Sequence, residues 1–292
     1  MNRRQFLLSG SGLAGSLTVP SFALEADNLH RNNIGVQLYT LRNQMKADLP
    51  GTIKAVAAAG YRQVEPFGFP DANALAMIKA AKENGMAVNS SHFAWDSVTD
   101  PDKSGVPPFG EILDKAKKAG LSHLVIPFLL PETRKTTDDY RRLAERCNRA
   151  AVTAKAAEIQ LAYHNHAFEF QPLESGETGY EVFIAEFAPE MMFEMDVFWV
   201  KAGGVEPFDL LGKLKGRVSQ LHLKDLKGGI PLPEFGKLAD DAFQELGDGI
   251  IAMEPIFKAA ESASVVHCHV EQDQSPDPMA SIGQSIRYLN RL

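Results

Sequence analysis

Cysteine is nearly missing. Cys147 and Cys268 are the two in 292 residues; one lies in a charged helical pattern and the other inside a strand-like run, which leaves neither a disulfide framework nor a cysteine metal site. A basic excess is missing too: 30 Lys and Arg stand against 37 Asp and Glu, a formal charge of −7, which argues against a nucleic-acid groove. No G-x-G-x-x-G follows the first strand-like run and no G-x-x-x-x-G-K-[ST] occurs anywhere, so the marks of dinucleotide and P-loop sites are absent. No G-x-S-x-G offers a hydrolase nucleophile its elbow. Neither a repeat of 20 to 50 residues nor a low-complexity segment interrupts the chain.

What is there begins with a segment of separate purpose. MNRRQFLL sets Arg3-Arg4 before Phe6-Leu7-Leu8, a short Gly-softened apolar region follows, and Ser21-Phe22-Ala23 offers small residues at the −3 and −1 positions of a cleavage site. The segment is too short and too Gly-rich to span a bilayer. Its arginine pair resembles a twin-arginine export signal, an address and not an anchor; an ordinary secretory signal is the alternative. The expected organisation is a signal peptide over residues 1–23, a single domain over 24–292, and a periplasmic location. Loss of Arg3 and Arg4 with an acid-free segment takes the formal charge from −7 to −9. Twin-arginine export carries folded proteins, often with a cofactor loaded, which suits a metal protein.

With 45% hydrophobic residues, the chain can bury one full-sized core. From Asn33 short apolar runs alternate with helix-period segments, the βαβα pattern of a parallel sheet. The strand runs are IGVQLYTL, YRQVEPFGF, MAVNSSHFAW, HLVIPFLLP, LAYHNH, MMFEMD, RVSQLHLKD and SVVHCHVEQ. Helices are expected over Leu49–Gly60, from an Asp71 cap through Glu83, and over Pro107–Gly120, Thr136–Glu158, Glu177–Ala188, Pro207–Leu214, Ile250–Ser262 and Pro278–Leu292. The acidic, Gly- and Pro-bearing stretch Lys227 to Gly249 breaks the rhythm and reads as an active-site loop. Eight strands and about eight helices predict an α/β protein, a single (β/α)₈ TIM barrel with its site at the C-terminal strand ends. An open doubly wound sheet would want the glycine fingerprint that is missing.

Four strand ends carry ligand-type residues. In LAYHNHAFEF, strand alternation places His164 and His166 on one face and Asn165 on the other. MMFEMD reaches Asp196, VSQLHLKD carries His222, Lys224 and Asp225, and VVHCHVEQD carries His267, His269, Glu271 and Asp273. Asp196, His222 and Glu271, with His164 or His166, make a mixed nitrogen and oxygen donor set suited to Mn²⁺, Co²⁺, Fe²⁺, Ni²⁺ or Zn²⁺. Glu65, His92 and Trp95 are expected at the same mouth as substrate-binding residues, and Trp199 is a site or a core residue. Lys224 either neutralises a developing enolate or pairs with Asp225 or Asp248. His123 precedes its strand and reads as structural.

These pieces, IGVQLYTLR, VEPFGF, YHNHAFEF, EMDVFWVKAGG, LHLKD, LGDGIIAMEPIFKA and VEQD, resemble in their order the xylose isomerase-like barrel superfamily, within it the sugar phosphate isomerase/epimerase group. The resemblance covers about Asn33 to Leu292. It implies one divalent metal, manganese first, with Co²⁺, Fe²⁺, Ni²⁺, Zn²⁺ or Mg²⁺ as substitutes, held at the ends of strands five to eight; the match carries over to Asp196, His222 and Glu271, and His164 is the expected ligand from strand five. Ketose epimerases of the group carry a glutamate on strand five, where this chain has His164-Asn165-His166, with Glu169 beyond. The expected chemistry is carbonyl chelation and enediolate formation on a keto sugar, with Glu271 or His166 as base and Lys224 as electrostatic helper. A 3-keto-glycoside lyase or hydratase and a non-catalytic periplasmic sugar-binding barrel are the alternatives. The partner expected is a small-molecule sugar or keto-glycoside, with further copies of the chain allowed; nucleic acid and a membrane anchor are not expected.

Overall fold

The computed structural model describes residues 33–263 and 265–292, so the expected signal peptide over residues 1–23 lies outside the described residues. Eight parallel strands follow in chain order: β1 Gly35–Gln37, β2 Gln63–Glu65, β3 Ser90–His92, β4 His123–Ile126, β5 Gln160–His164, β6 Met191–Asp196, β7 Val218–Leu223 and β8 His267–Val270. They lie side by side from β2 through β1, β8, β7, β6, β5 and β4 to β3. The two outer strands meet through parallel bridges at Gln63 with Ala87 and Phe69 with Phe93, where the Val64 amide donates to the Ala87 carbonyl at 3.0 Å. The sheet thereby curls into a (β/α)₈ barrel.

The first three strands are much shorter than their apolar runs. After β1 the Gln37 side chain accepts the Tyr39 amide at 3.1 Å and the chain winds into a 3₁₀ turn over Leu38–Leu41. After β2 comes Pro66, which has no N–H for a ladder. The helix expected over Leu49–Gly60 is the second half of α1, Arg42–Ala58, which breaks at Asp48 (φ −153°, ψ 89°). There the Asp48 carboxylate accepts the Gly51 amide at 3.0 Å, capping a fresh start just before Pro50.

Further helices are α2 Ala72–Glu83, α3 Asp96–Thr99, α4 Phe109–Ala119, α5 Thr137–Ala156, α6 Gly179–Glu186, α7 Val197–Ala202, α8 Pro207–Lys213, α9 Met253–Ser262 and α10 Pro278–Leu289. Asp71 caps α2 by accepting the Ala74 amide at 2.7 Å, and Thr136 with Asp139 form a capping box at α5. The short α3 and α7 were not legible as helices, because each is too brief to show a period. No described helix is long and apolar enough to cross a membrane.

Strand alternation divides the protein into two environments. Leu221, Leu223, Phe193, Met195, Cys268 and Val270 point outward into the apolar layer beneath the helices and are at most 1% exposed. The intervening residues, Glu194 and Asp196 on β6, Gln220 and His222 on β7 and His269 on β8, are equally buried but polar. The apolar layer holds the fold together, whereas the barrel axis carries titratable groups, where local consistency is given up for function.

The Lys227–Gly249 stretch is tied down. Asp225–Leu226 pairs antiparallel with Phe243–Gln244, and the Asp225 carboxylate accepts the amides of Leu226 at 2.9 Å and of Gly247, Gly249 and Ile251 at 3.0 Å each.

Candidate active site

A cavity of about 590 Å³ opens at the C-terminal strand ends. His92, His164, His166, Lys224, Glu271 and Asp273 supply its polar part; Tyr39, Phe67, Trp95, Phe128, Trp199 and Phe243 supply aromatic walls; and Lys237, Leu238 and Asp240 reach it from the pinned loop. Such a lining, mostly apolar with a few convergent polar groups, is that of a small-molecule site.

His164, Asp196, His222 and Glu271, from β5 through the end of β8, each offer one donor atom, all within 4.8 Å of one another. Asp196 faces His222 in the β6–β7 register, so pairing sets those two side by side. His222 Nδ1 lies 2.9 Å from Glu271 Oε2, and His164 Nε2 lies 3.9 Å from Asp196 Oδ2. Asp196 Oδ1 accepts the Trp199 amide at 3.0 Å and so caps α7, while its buried Oδ2 makes no hydrogen bond of good geometry, although Lys224 Nζ stands 3.1 Å away. A carboxylate oxygen without a hydrogen bond, facing two imidazoles and a second carboxylate beside the Lys224 ammonium, fits a divalent ion with mixed ligands.

Lys224 does not pair with Asp225 or Asp248, a correction to the sequence expectation. Asp225 is occupied by the loop amides, and Asp248 accepts from Gln284 Nε2 at 2.6 Å. Lys224 instead reaches Asp196, Glu271 (2.8 Å) and Asp273 (2.8 Å). Burial opposes its charge, yet these three carboxylates hold its pKa well above the usual lysine value. Glu271 resists burial in the same way: Lys224 and His222 keep it ionised, well below the usual carboxylate range. Asp273 behaves differently despite the same lysine. Burial, with Glu271 and Asp196 nearby, pushes it up to about 6, because one ammonium cannot neutralise three acids.

Glu65 is also corrected. It is expected at the mouth, but it is wholly buried beneath the cavity, where its carboxylate accepts from Gln37 Nε2 (2.9 Å) and Ser90 Oγ and faces His222 Nε2 at 2.7 Å. It therefore orients His222 and does not reach a ligand in the cavity. His92, Trp95 and Trp199 do line the cavity. His166 lies beyond the last residue of β5 yet still faces the cavity, with its ring against Phe168 (centroids 5.4 Å apart), Trp199 (5.3 Å) and Phe128 (5.2 Å). Burial, helped by His164 and Lys224, holds it neutral. Asn165 turns the other way and brackets the backbone of Asp196 at 3.1 and 3.3 Å. Glu169 points into the core, accepting the His166 amide at 2.9 Å and the Tyr163 hydroxyl. His123 and His267 meet edge-on, 5.1 Å apart, at the starts of β4 and β8, the far end of the barrel. His269 lies inside, with Nδ1 3.8 Å from Glu65.

The cavity's aromatic walls at Tyr39, Phe67, Phe128 and Phe243 were not singled out in the sequence, and neither was one acid beside the donors. Glu194 Oε2 lies 2.9 Å from His92 Nε2 and 3.2 Å from both His164 Nδ1 and His222 Nε2. The signal was present, since Glu194 is two residues before Asp196 on a period-2 strand and must share its inward face. Burial opposes ionisation of Glu194, but the three imidazoles hold its carboxyl well below the usual range. For His222, burial is likewise overcome by Glu194 and Glu271, which raise it well above the ordinary histidine value.

Comparison with known proteins places these features. A family model described as a xylose isomerase-like TIM barrel matches residues 53–292. Among curated proteins no match is found. A sugar phosphate isomerase/epimerase from Parabacteroides distasonis ATCC 8503 is 26% identical over 89% of this chain and 93% of its own, with a TM-score of 0.72. The IolI protein with a bound zinc atom (12% identity, 89% and 95% covered, TM-score 0.65) and the 3-keto-D-glucoside 4-epimerase YcjR from E. coli (14%, 89% and 99%, 0.64) share the fold.

Proposed function

This chain belongs to the xylose isomerase-like TIM barrel family, a superfamily of sugar isomerases and epimerases, and on that premise we propose that it is a divalent-metal-dependent enzyme that moves the proton α to the carbonyl of a keto sugar. One observation carries the reading: four donors from consecutive strands, His164, Asp196, His222 and Glu271, converge within 4.8 Å beside a cavity of about 590 Å³. The ion, manganese in the first instance, supplies Lewis-acid polarisation of the sugar carbonyl when bound. Glu271, ionised and lining the cavity, is the base. Lys224 gathers Asp196, Glu271 and Asp273 around one positive charge and presents that charge where an oxyanion would develop. His92 offers a polar contact and Trp95 and Trp199 offer stacking faces for the sugar.

The substrate in this reading is an unphosphorylated sugar. Beyond the committed Lys224, Lys237 is the one cation among the lining residues, against Glu271, Asp273 and Asp240, a poor balance for a phosphate group. The proposed export by the twin-arginine route to the periplasm agrees with that.

A second reading, elimination or hydration on a 3-keto-glycoside, is favoured by one specific arrangement. An epimerase wants a base on each face of the carbon, but strand five supplies His164 and Glu169 is turned into the core. The site therefore sets one carboxylate, Glu271, as base beside a neutral imidazole, His166, whose N–H can hydrogen-bond the leaving oxygen while water supplies the proton that oxygen takes up. Incubating manganese-loaded protein in D₂O with free ketohexoses and, separately, with a 3-keto-glucoside separates the two. Deuterium at C3 with epimer formation establishes the first; loss of the aglycone establishes the second. No exchange and no product with either substrate would refute both.

A further inference from the structure

Among the described residues Glu194 has no arginine or lysine partner. It is fully buried on the inner face of β6, and its Oε1 has no hydrogen-bond partner. A buried carboxylate is costly, and an apolar residue of similar volume is often more stable in such a place. Packing therefore does not account for it. What the residue does have is one oxygen, Oε2, set between three ring nitrogens: His92 Nε2, His164 Nδ1 and His222 Nε2.

The pairing of nitrogens is informative. His164 turns Nδ1 toward Glu194 and Nε2 toward Asp196, whereas His222 turns Nε2 toward Glu194 and Glu65 and Nδ1 toward Glu271. A carboxylate only accepts, so the His164 Nδ1 bonded to Glu194 must carry the proton, and Nε2 keeps its lone pair toward Asp196. His222 differs: carboxylates face both of its nitrogens, Glu271 at Nδ1 and Glu65, closer than Glu194, at Nε2, so Glu194 does not set its tautomer. Register explains how one side chain comes near both rings: Glu194 is the Cα partner of His164 on β5 and of Gln220 on β7, two residues before the Asp196–His222 pair.

We infer that Glu194 is a positioning residue that fixes the metal-site histidine His164, so that His164 turns Nε2 to the ion, and that it ties His92, a cavity residue, to the same anchor. The inference rests on the proposed metal site. Its consequence is that metal affinity depends on a residue that does not touch the ion. Second-sphere partners of this kind are worth about 10- to 100-fold in metal affinity.

The test compares wild type, Glu194→Gln and Glu169→Gln, the last altering a buried carboxyl group that does not contact the four donors. Zinc, a diamagnetic probe, is titrated against a chelator, and the imidazole ¹⁵N signals are recorded with and without it. Expected are one zinc per wild-type chain, about 10- to 100-fold weaker binding in Glu194→Gln with altered tautomer signals for His164, and unchanged binding in Glu169→Gln. Wild-type spectra alone, showing Nδ1–H on His164, would support the inference even if Glu194→Gln does not fold. Equal affinity and unchanged tautomers in Glu194→Gln would overturn it. So would a second zinc in wild type that the variant loses, since Glu194 would then be a ligand. A wild-type chain that binds no zinc or manganese refutes the metal reading itself, a distinguishable result.

Discussion

Replacing Asp225 by alanine should unfasten the loop that forms one wall of the cavity. The carboxylate accepts four backbone amides, those of Leu226, Gly247, Gly249 and Ile251, at 2.9 to 3.0 Å, and Leu226 and Ile251 are buried. Gly247 and Gly249 are open enough for water to replace the lost acceptor. The two buried amides are not, and an unsatisfied buried donor costs about 1–3 kcal/mol, so the variant should lose roughly 2–4 kcal/mol when relief of the buried charge is set against the loss. For a domain of this size each kcal/mol moves Tm by about 2–4 °C, so a fall of roughly 4–16 °C follows. Asn cannot rescue it fully, because its amide nitrogen would face N–H groups. Hydrogen exchange should localise the damage to residues 246–251, and KM should rise more than kcat falls, since Lys237, Leu238, Asp240 and Phe243 reach the cavity from this loop. A Tm within about 2 °C of wild type, with unchanged exchange at Gly249 and Ile251, would refute the reasoning.

Further outcomes can be checked separately. Asp196→Ala and His222→Ala should each lose the metal and the activity together while keeping the barrel, as elemental analysis and circular dichroism would report; full occupancy in either would count against the proposed donor set. Glu169 has its pKa raised by burial to about 8 against an ordinary value of 4.5, so the folded chain holds a proton that the unfolded chain has released. The stability this contributes is complete below about pH 4.5 and is lost as pH rises through 8. Glu169→Gln should therefore flatten the fall in Tm between about pH 4.5 and 8, and parallel Tm profiles would contradict the assignment. Gly35→Ala would set a Cβ 2.4 Å from the His269 ring and 2.6 Å from Gln63, inside a packed barrel, and should destabilise by about 1–3 kcal/mol; an unchanged denaturation midpoint would show that the ring can move. Arg3→Lys with Arg4→Lys should leave the precursor in the cytoplasm; undisturbed export would indicate the general secretory route.

Sequence alone determined the barrel, because alternating apolar runs and helix-period segments are local properties of the chain and eight such pairs have few ways to bury their faces. It also marked Asp196, His222 and Glu271, each a polar residue where an apolar strand ends. The inward direction of Glu194 was implied by the same alternation, but its partners were not: His92, His164 and His222 come from three other strands, and only closure of the sheet brings those rings to one carboxylate oxygen. The depth of Glu65 and the true partners of Lys224 were hidden for the same reason. An acid at a strand end looks alike in sequence whether it faces the cavity, as Glu271 does, or sits beneath it, as Glu65 does; the stagger of parallel strands around a closed barrel decides the level at which each side chain lies. Asp225, next to Lys224 in the chain, points to the loop and leaves the lysine to Asp273, 49 residues away, because neighbours on a strand face opposite sides while residues distant in the chain share one side.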